Sequence, residues 1–155
     1  MGGIGCSPAA QKVQNQVANL DQPTVGPDDN LEKMRPGAPD PDHPQEFLET
    51  TTGLKYRVLR QGKGISPQAR DQVNVHYKGW LDDGFIFDSS YRRGEPISFP
   101  LTGVIPGWTE GLQLVGEGGM IELDIPSDLG YGDTGMGEIP PRARLHFIVE
   151  LNRVF

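Results

Sequence analysis

The stretch Val104-Ile-Pro-Gly-Trp-Thr-Glu-Gly-Leu-Gln-Leu-Val-Gly116 decides the fold, because it is the one helical pattern in a chain of strands and turns. Its large apolar residues recur at i, i+3, i+7 and i+10, so they share one face of a helix. Pro106 suits a first helical turn, and Gly116 suits a C-terminal end. We predict one short helix here, with a sheet packed over its apolar face. That face consists of Ile105, Trp108, Leu112 and Val115.

Six segments around this helix have strand character. Most alternate apolar and polar residues, and turn residues bound them. They are residues 54–59, 72–80, 85–88, 97–99, 120–125 and 143–151. Asp82-Asp83-Gly84 predicts a hairpin, and residues 91–94 predict a basic loop. Strands and helices do not alternate, so the fold class is α+β, with a five- to six-stranded antiparallel sheet wrapped around one short helix.

The first 46 residues differ in composition from the rest. None of the 12 aromatic residues precedes Phe47, and residues 1–46 hold seven of the 14 prolines and seven acidic against three basic side chains. A segment with so little apolar surface does not offset its ordering entropy by burial. We therefore predict a disordered, acidic, proline-rich tail or linker over residues 1–46 and one domain over residues 47–155.

Charge and cysteine content exclude several function classes. The net charge of −7 argues against a surface for nucleic acid or an anionic membrane. The single cysteine, Cys6, excludes an intrachain disulfide framework. His43, His76 and His146 lack metal-ligand spacing, so we expect neither a metal nor a cofactor. Glu122 and Asp124 fall on the polar face of a strand, which predicts a solvated face.

The N-terminal residues leave two cellular locations open. As given, the chain predicts a soluble, cytoplasmic protein, because no charged and apolar leader precedes Cys6. Alternatively, Gly5-Cys6-Ser7-Pro8 resembles the start of a mature bacterial lipoprotein, anchored in the envelope through Cys6 if a signal peptide lies upstream.

The chemistry of the domain is marked by aromatic residues where strands end and loops begin. The chain lacks a recognisable Ser-His-Asp context, a phosphate-binding loop and a dinucleotide fingerprint. Aromatic side chains at such positions, with Asp88 beside one of them, predict an apolar pocket with a few polar groups at its rim. The aromatic residues are Tyr77, Phe87, Phe99, Trp108, Tyr131 and Phe147.

Residues 50–155 resemble the FKBP-type peptidyl-prolyl isomerases in five motifs that occur in the family's order. The motifs are Val75-His76-Tyr77-x-Gly79, Phe87-Asp88-Ser89-Ser90, Val104-Ile105-x-Gly107-Trp108-x-Glu110-Gly111-Leu112, Leu129-Gly130-Tyr131-Gly132 and Ile139-Pro140-Pro141-x-Ala143-x-Leu145-x-Phe147. The resemblance implies an antiparallel sheet on a central helix, and cis–trans isomerisation of X–Pro bonds in proteins, which assists folding. The alternative is a module that binds proline segments with little catalysis, or a chaperone.

The same resemblance implies roles for individual residues. It places the proline ring over Trp108, with a Tyr131 hydroxyl and an Ile105 N–H directed at substrate carbonyls. It places Asp88 near the twisting amide or in a rim network, paired with Arg93. The implied catalytic set is Tyr77, Phe87, Asp88, Trp108, Tyr131 and Phe147. The implied substrate-binding set is Phe99, Val104, Ile105, Arg93 and Ile139.

The chain departs from the family pattern at three places. Ile97 stands where an aromatic is common, Met136 stands where His is frequent, and the connection Leu101-Thr102-Gly103 is short. These changes bear on specificity, because Met substitutes readily in apolar sites. The expected partners are proline-containing polypeptides and, as a family property, macrolide inhibitors. We expect a monomer.

Overall fold

The computed structural model describes residues 25–155, which form seven strands, two short α-helices and three 3₁₀ turns. The strands are β1 (Leu48–Glu49), β2 (Lys55–Arg60), β3 (Gln72–Trp80), β4 (Ile86–Ser89), β5 (Ile97–Pro100), β6 (Met120–Ile125) and β7 (Leu145–Val154). The helices are α1 (Ser90–Arg93) and α2 (Pro106–Gly111). The 3₁₀ turns are Leu101–Gly103, Leu112–Leu114 and Ser127–Leu129.

All strands pair antiparallel in one sheet of order β1-β2-β6-β7-β3-β4. Strand β5 also pairs with β3, at the end of β3 that β4 leaves free. The α+β class and the antiparallel sheet over a short helix are confirmed. The sheet has one strand more than predicted, because the two residues of β1 are too few to show alternation in the sequence.

Helix α2 lies across the inner face of the sheet. Trp108 and Leu112 point into the main apolar cluster, together with Leu123 and Phe147 of the sheet. The helix is shorter than the predicted span of 104–116: Pro106 begins it, and residues 112–114 continue as a 3₁₀ turn. The predicted apolar face is still present, because Leu112 stays buried beneath the sheet although it lies in the 3₁₀ turn and not in the α-helix.

Helix α1 corrects the prediction of a basic loop at residues 91–94 and of only one helix. It is one turn long, so no periodicity could reveal it. Its ends carry recognisable signals: the Ser89 hydroxyl accepts from the Arg92 N–H, and Gly94 ends the helix with φ 83°. Tyr91 is fully buried within this turn.

Residues 25–46, the second part of the predicted tail or linker, lie against the sheet. They form a strap, the N-terminal strap, across the outer face of the sheet. Val25 packs against a second apolar cluster on that face, and the Asp40 N–H donates to the Leu59 carbonyl (2.7 Å). Apolar composition does not report such contacts, because the strap is held mainly by hydrogen bonds and ion pairs to Lys78, Arg92 and Glu150. The disordered tail over residues 1–46 and the domain boundary at residue 46 stay predictions.

The polar face of the sheet is covered rather than solvated. Glu122 is buried and accepts from the Arg57 Nε (2.6 Å), and Asp124 is paired with Arg144 (2.7 Å). The prediction that Glu122 and Asp124 form a solvated face is therefore wrong for Glu122 and holds only partly for Asp124, which is half-buried. Alternation identifies the two faces of a strand, but it does not tell whether another segment covers the polar one.

Two predictions fall on the residues before position 25. The expected disorder of residues 1–24 and the anchor at Cys6 lie outside the described residues. Within residues 25–155, no helix has both the length and the apolar character needed to cross a membrane.

The close approach of α2 to the sheet gives a stability prediction. A Cβ at Gly107 would lie 2.7 Å from Ile125 Cγ2. In an open helix Gly→Ala gains about 1 kcal/mol, but overpacking a core costs about 1–3 kcal/mol. We expect Gly107→Ala to lower the free energy of unfolding in urea titrations, and to cause little further loss in an Ile125→Ala background. A more stable Gly107→Ala protein would contradict this packing.

Candidate functional site

A cavity of about 400 Å³ opens where the start of α2 meets the inner face of the sheet. Strands β3, β4, β5 and β7 contribute side chains to it, as do α2 and the loop between β6 and β7. Its size lies in the range of small-molecule and peptide-side-chain sites. It is lined by Tyr77, Phe87, Asp88, Phe99, Gly103, Val104, Ile105, Trp108, Tyr131, Met136 and Phe147.

Trp108 forms the floor of this cavity. Three aromatic rings, those of Tyr77, Phe99 and Phe147, stand nearly perpendicular to its indole. Their centroids lie 5.1, 5.6 and 5.4 Å from that of the indole, and the interplanar angles are 88°, 89° and 81°. Edge-to-face pairs at these distances are favourable, so the rings hold one another in place. Phe87 extends the wall by an edge-on contact with Phe147 at 5.6 Å. The result is a rigid apolar box that is open on one side.

Gly79 shapes this box, and sequence reasoning assigned it no role beyond its place in a motif. A Cβ at Gly79 would lie 2.6 Å from Phe147 Cε1 and 2.7 Å from Phe87 Cζ. Only the absence of a side chain on β3 lets both rings approach the strand. The signal in the sequence was a glycine inside an otherwise regular strand pattern.

Asp88 organises the polar side of the rim. Its carboxylate accepts a hydrogen bond from the Tyr77 hydroxyl, pairs with Arg93 Nη1 (2.7 Å) and accepts from the Ser89 N–H (2.9 Å). The predicted pairing of Asp88 with Arg93 is thus present in the structure. Arg93 also lies over the Tyr77 ring, 5.8 Å from its centroid. Carboxylate, guanidinium and phenol fix one another's orientation.

The rim raises the pKa of both of its tyrosines. Burial raises the pKa of Tyr77, and its hydrogen bond to Asp88 raises it further. The pKa of Tyr131 is also raised, first by burial and then by the negative charge of Asp88. Both hydroxyls therefore keep their protons at neutral pH. The Tyr131 hydroxyl can donate a hydrogen bond into the cavity mouth, whereas that of Tyr77 is committed to Asp88.

One backbone N–H and one side-chain N–H at the cavity could donate hydrogen bonds to a ligand. Among residues 25–155, no acceptor is found for the Ile105 N–H, which precedes the first turn of α2. The buried Trp108 Nε1 likewise has no partner within that range. Ile105 borders the cavity and is only half-buried, so its N–H can donate to a bound carbonyl.

A smaller cavity of about 200 Å³ adjoins the main one and shares four of its residues, Phe87, Asp88, Tyr131 and Met136. Ile139 and Glu138 complete its lining.

Ile97, the first departure from the family pattern, packs against the main apolar cluster. The short connection Leu101–Gly103 forms a 3₁₀ turn, and the Thr109 hydroxyl donates to the Leu101 carbonyl (2.6 Å).

The structure brings the predicted site residues together. Nine of the 11 predicted residues line the main cavity, Arg93 reaches its rim through Asp88, and Ile139 lies in the adjoining cavity. Gly103 also lines the main cavity and was not predicted. Within residues 25–155, His, Cys, Asp and Glu side chains form no group of three or more that could hold a metal ion.

Comparison with known proteins agrees with this geometry. A model of the FKBP-type peptidyl-prolyl cis-trans isomerase family matches residues 63–152. The chain belongs to this family. The FKBP-type isomerase FkpA of Escherichia coli K12 is 56% identical over 102 residues, which cover 66% of this chain and 38% of that protein. The chain thus spans less than half the length of this relative.

Solved FKBP structures show the same fold. The crystal structure of FkpA from Escherichia coli matches with a TM-score of 0.70 and 52% identity, covering 72% of this chain and 52% of that one. A peptidyl-prolyl cis-trans isomerase of Pseudomonas syringae pv. tomato matches over 98% of both chains, with a TM-score of 0.65 and 34% identity.

The shared rim predicts a coupled titration. In Asp88→Asn the negative charge beside both tyrosines is lost, so we expect the pKa of Tyr131 to fall, and that of Tyr77 to fall as well. Alkaline titration of tyrosine Cζ resonances by NMR measures both groups. Asp124→Asn, on the opposite face of the sheet, is the matched control and should leave them unchanged. An unchanged or higher Tyr131 pKa in Asp88→Asn would contradict the rim geometry.

Proposed function

We propose that this domain catalyses cis–trans isomerisation of X–Pro peptide bonds in polypeptides and thereby assists folding. The observation that supports it best is the box of four aromatic rings with Trp108 as its floor, closed on one side by the Asp88 rim. A prolyl ring is apolar, compact and small enough for such a box.

Rotation about a peptide bond meets a barrier of about 18–20 kcal/mol, and X–Pro isomerisation takes about 10–100 s unaided. No bond between heavy atoms breaks, so the reaction requires no nucleophile. The twisted amide has lost its resonance and is less polar than the planar one. A cavity floored by Trp108, which is only 4% exposed, and walled by aromatic rings disfavours the planar form relative to the twisted form.

Positioning of the substrate makes the second contribution to the rate enhancement. The prolyl ring stacks on Trp108. The Tyr131 hydroxyl donates to one substrate carbonyl and the Ile105 N–H to a second one. Asp88 keeps the rim in shape, because Tyr77 and Arg93 both bind its carboxylate. Each 1.36 kcal/mol of differential stabilisation is about tenfold in rate, so a few such contacts suffice.

Two neighbouring phenylalanines test this proposal directly. Phe87 lies in the cavity wall, whereas Phe85, two residues earlier, is exposed outside it. We expect Phe87→Ala to lower kcat/KM on proline tetrapeptides about tenfold, corresponding to about 1.4 kcal/mol, and Phe85→Ala to leave it unchanged. Asp88→Ala should also lose much of the rate. Retained activity in both Phe87→Ala and Asp88→Ala would show that the cavity is not the active site.

The alternative is a module that binds proline segments with little catalysis. The same assay separates the two functions when it is paired with Trp108 fluorescence during titration with proline peptides. A wild-type protein that shifts this fluorescence without accelerating isomerisation would be such a module. A protein with neither response would have a structural role only.

Two narrower expectations about partners accompany the proposal. A macrolide inhibitor of the family should compete for the same cavity, and its affinity should respond to substitution of Met136, which lies at the rim. Nine large apolar side chains of residues 25–155 are exposed, and three of them, Ile65, Phe85 and Met136, lie in separate loops, which favours a monomer. Sedimentation velocity tests this, and a concentration-dependent dimer would contradict it.

A further inference from the structure

The N-terminal strap contacts α1, the helix that carries Arg93 of the rim. The N–H groups of Lys33 and Met34 both donate to the Tyr91 carbonyl of α1, at 2.9 and 3.4 Å. Asp29 accepts from two nitrogens of Arg92, at 2.5 and 3.3 Å, and its side chain is almost fully buried. A planar guanidinium held at two points is fixed in direction as well as distance.

Helix α1 connects this contact to the active site within two residues. Arg92 binds the strap, and the next residue, Arg93, binds Asp88 at the rim. Consecutive helical residues point about 100° apart, so one turn can present one arginine to each side. Because α1 has only four residues, its own hydrogen bonds do little to hold it. Its position depends on what it contacts on either side.

A second buried ion pair strengthens the same junction. Lys78 of β3 lies next to Tyr77 and is only 3% exposed. Its Nζ donates to Glu32 (2.9 Å) and to the Pro27 carbonyl (3.0 Å), both in the strap. Removing one partner of a buried pair leaves an uncompensated charge, which is costly. The strap is therefore tied to β3 and to α1, which carry Tyr77 and Arg93 of the rim.

The electrostatics of Asp29 agree with a specific contact. Burial alone would raise the pKa of Asp29, but the Arg92 hydrogen bond, the Leu31 N–H and the charge of Lys78 outweigh it and leave the pKa below its usual value. The carboxylate is therefore stabilised as an anion where it is buried, as a residue that holds an arginine requires.

From these contacts we infer that Asp29 is a positioning residue of the isomerase site. It fixes Arg92, and through α1 it sets the orientation of Arg93 and Asp88 at the rim of the cavity. The N-terminal strap is then part of the site's supporting structure and not a linker to it. This inference rests on the proposed function, and the experiment separates the two.

The test uses the full chain and two matched substitutions in the strap. Asp29→Asn removes the charge that holds Arg92. Asp40→Asn is the control. Asp40 also lies in the strap, and its carboxylate accepts a hydrogen bond from the Gln61 N–H (2.9 Å), which is not part of α1. Each variant is measured in three ways: urea unfolding, kcat and KM on a proline tetrapeptide, and the guanidinium NMR signals of Arg93. Asp29→Glu is included as the conservative variant.

We expect Asp29→Asn to lower kcat/KM roughly three- to tenfold under conditions where it is fully folded, and to broaden the Arg93 signals. Asp40→Asn should lower stability without either effect, and Asp29→Glu should restore part of the activity. Should Asp29→Asn fail to fold, Arg92→Gln breaks the same pair from the other side and carries the same expectations.

The NMR signals keep the inference testable apart from activity. If the wild-type protein shows no isomerase activity, the proposed function fails, but the Arg93 signals still report whether Asp29 holds the rim. The inference is overturned if the Arg93 signals and kcat/KM in Asp29→Asn equal those of the wild type. It is equally overturned if Asp40→Asn changes them to the same extent.

Discussion

The contact of α2 with the inner face of the sheet is the interaction on which the rest of the site depends. Gly107 and Gly111 have no side chains, so the helix approaches close enough for Ile125 and Leu123 to fill the space beside it. This approach places Trp108 between three perpendicular rings of the sheet. A larger separation would leave the indole without these edge contacts and the cavity without a rigid floor. The same packing of α2 on the sheet therefore shapes both the apolar core and the cavity.

The outer face of the sheet is built on different physics. Its apolar cluster is small, and its polar side chains are buried beneath the N-terminal strap in ion pairs such as Lys78–Glu32 and Arg60–Glu150. Glu150 also accepts from the Tyr91 hydroxyl (2.6 Å) and the Gly37 N–H (3.0 Å). Burial would raise the pKa of Glu150, but these hydrogen bonds outweigh it and keep the pKa below its usual value. Such pairs add less net stability than apolar burial, but they fix the register of the strap on the sheet.

These two kinds of packing explain which features the sequence could reveal. Trp108 and the strand faces were predictable, because apolar periodicity reports burial against a core. Most cavity residues stand in the five family motifs, whereas Phe99 was predicted from its place at the end of a strand. Helix α1 was missed because a single turn has no period. The strap was missed because its composition is that of a disordered segment, and its contacts depend on charged side chains far away in the sequence, such as Arg92, whose position only the fold supplies.

Strand β3 shows how the two faces are joined mechanically. Tyr77 points into the cavity, whereas its neighbours His76 and Lys78 point outward and are buried. The Ser90 Oγ lies 2.8 Å from both the Tyr77 backbone nitrogen and His76 Nδ1. Helix α1 is therefore hydrogen-bonded to β3 at two consecutive residues whose side chains point to opposite faces of the sheet. His76 also stacks on Tyr91 at 5.0 Å. A displacement of α1 would therefore be transmitted to Tyr77 through the backbone as well as to Asp88 through Arg93, and the rim of the cavity is sensitive to what lies on the opposite face of the sheet.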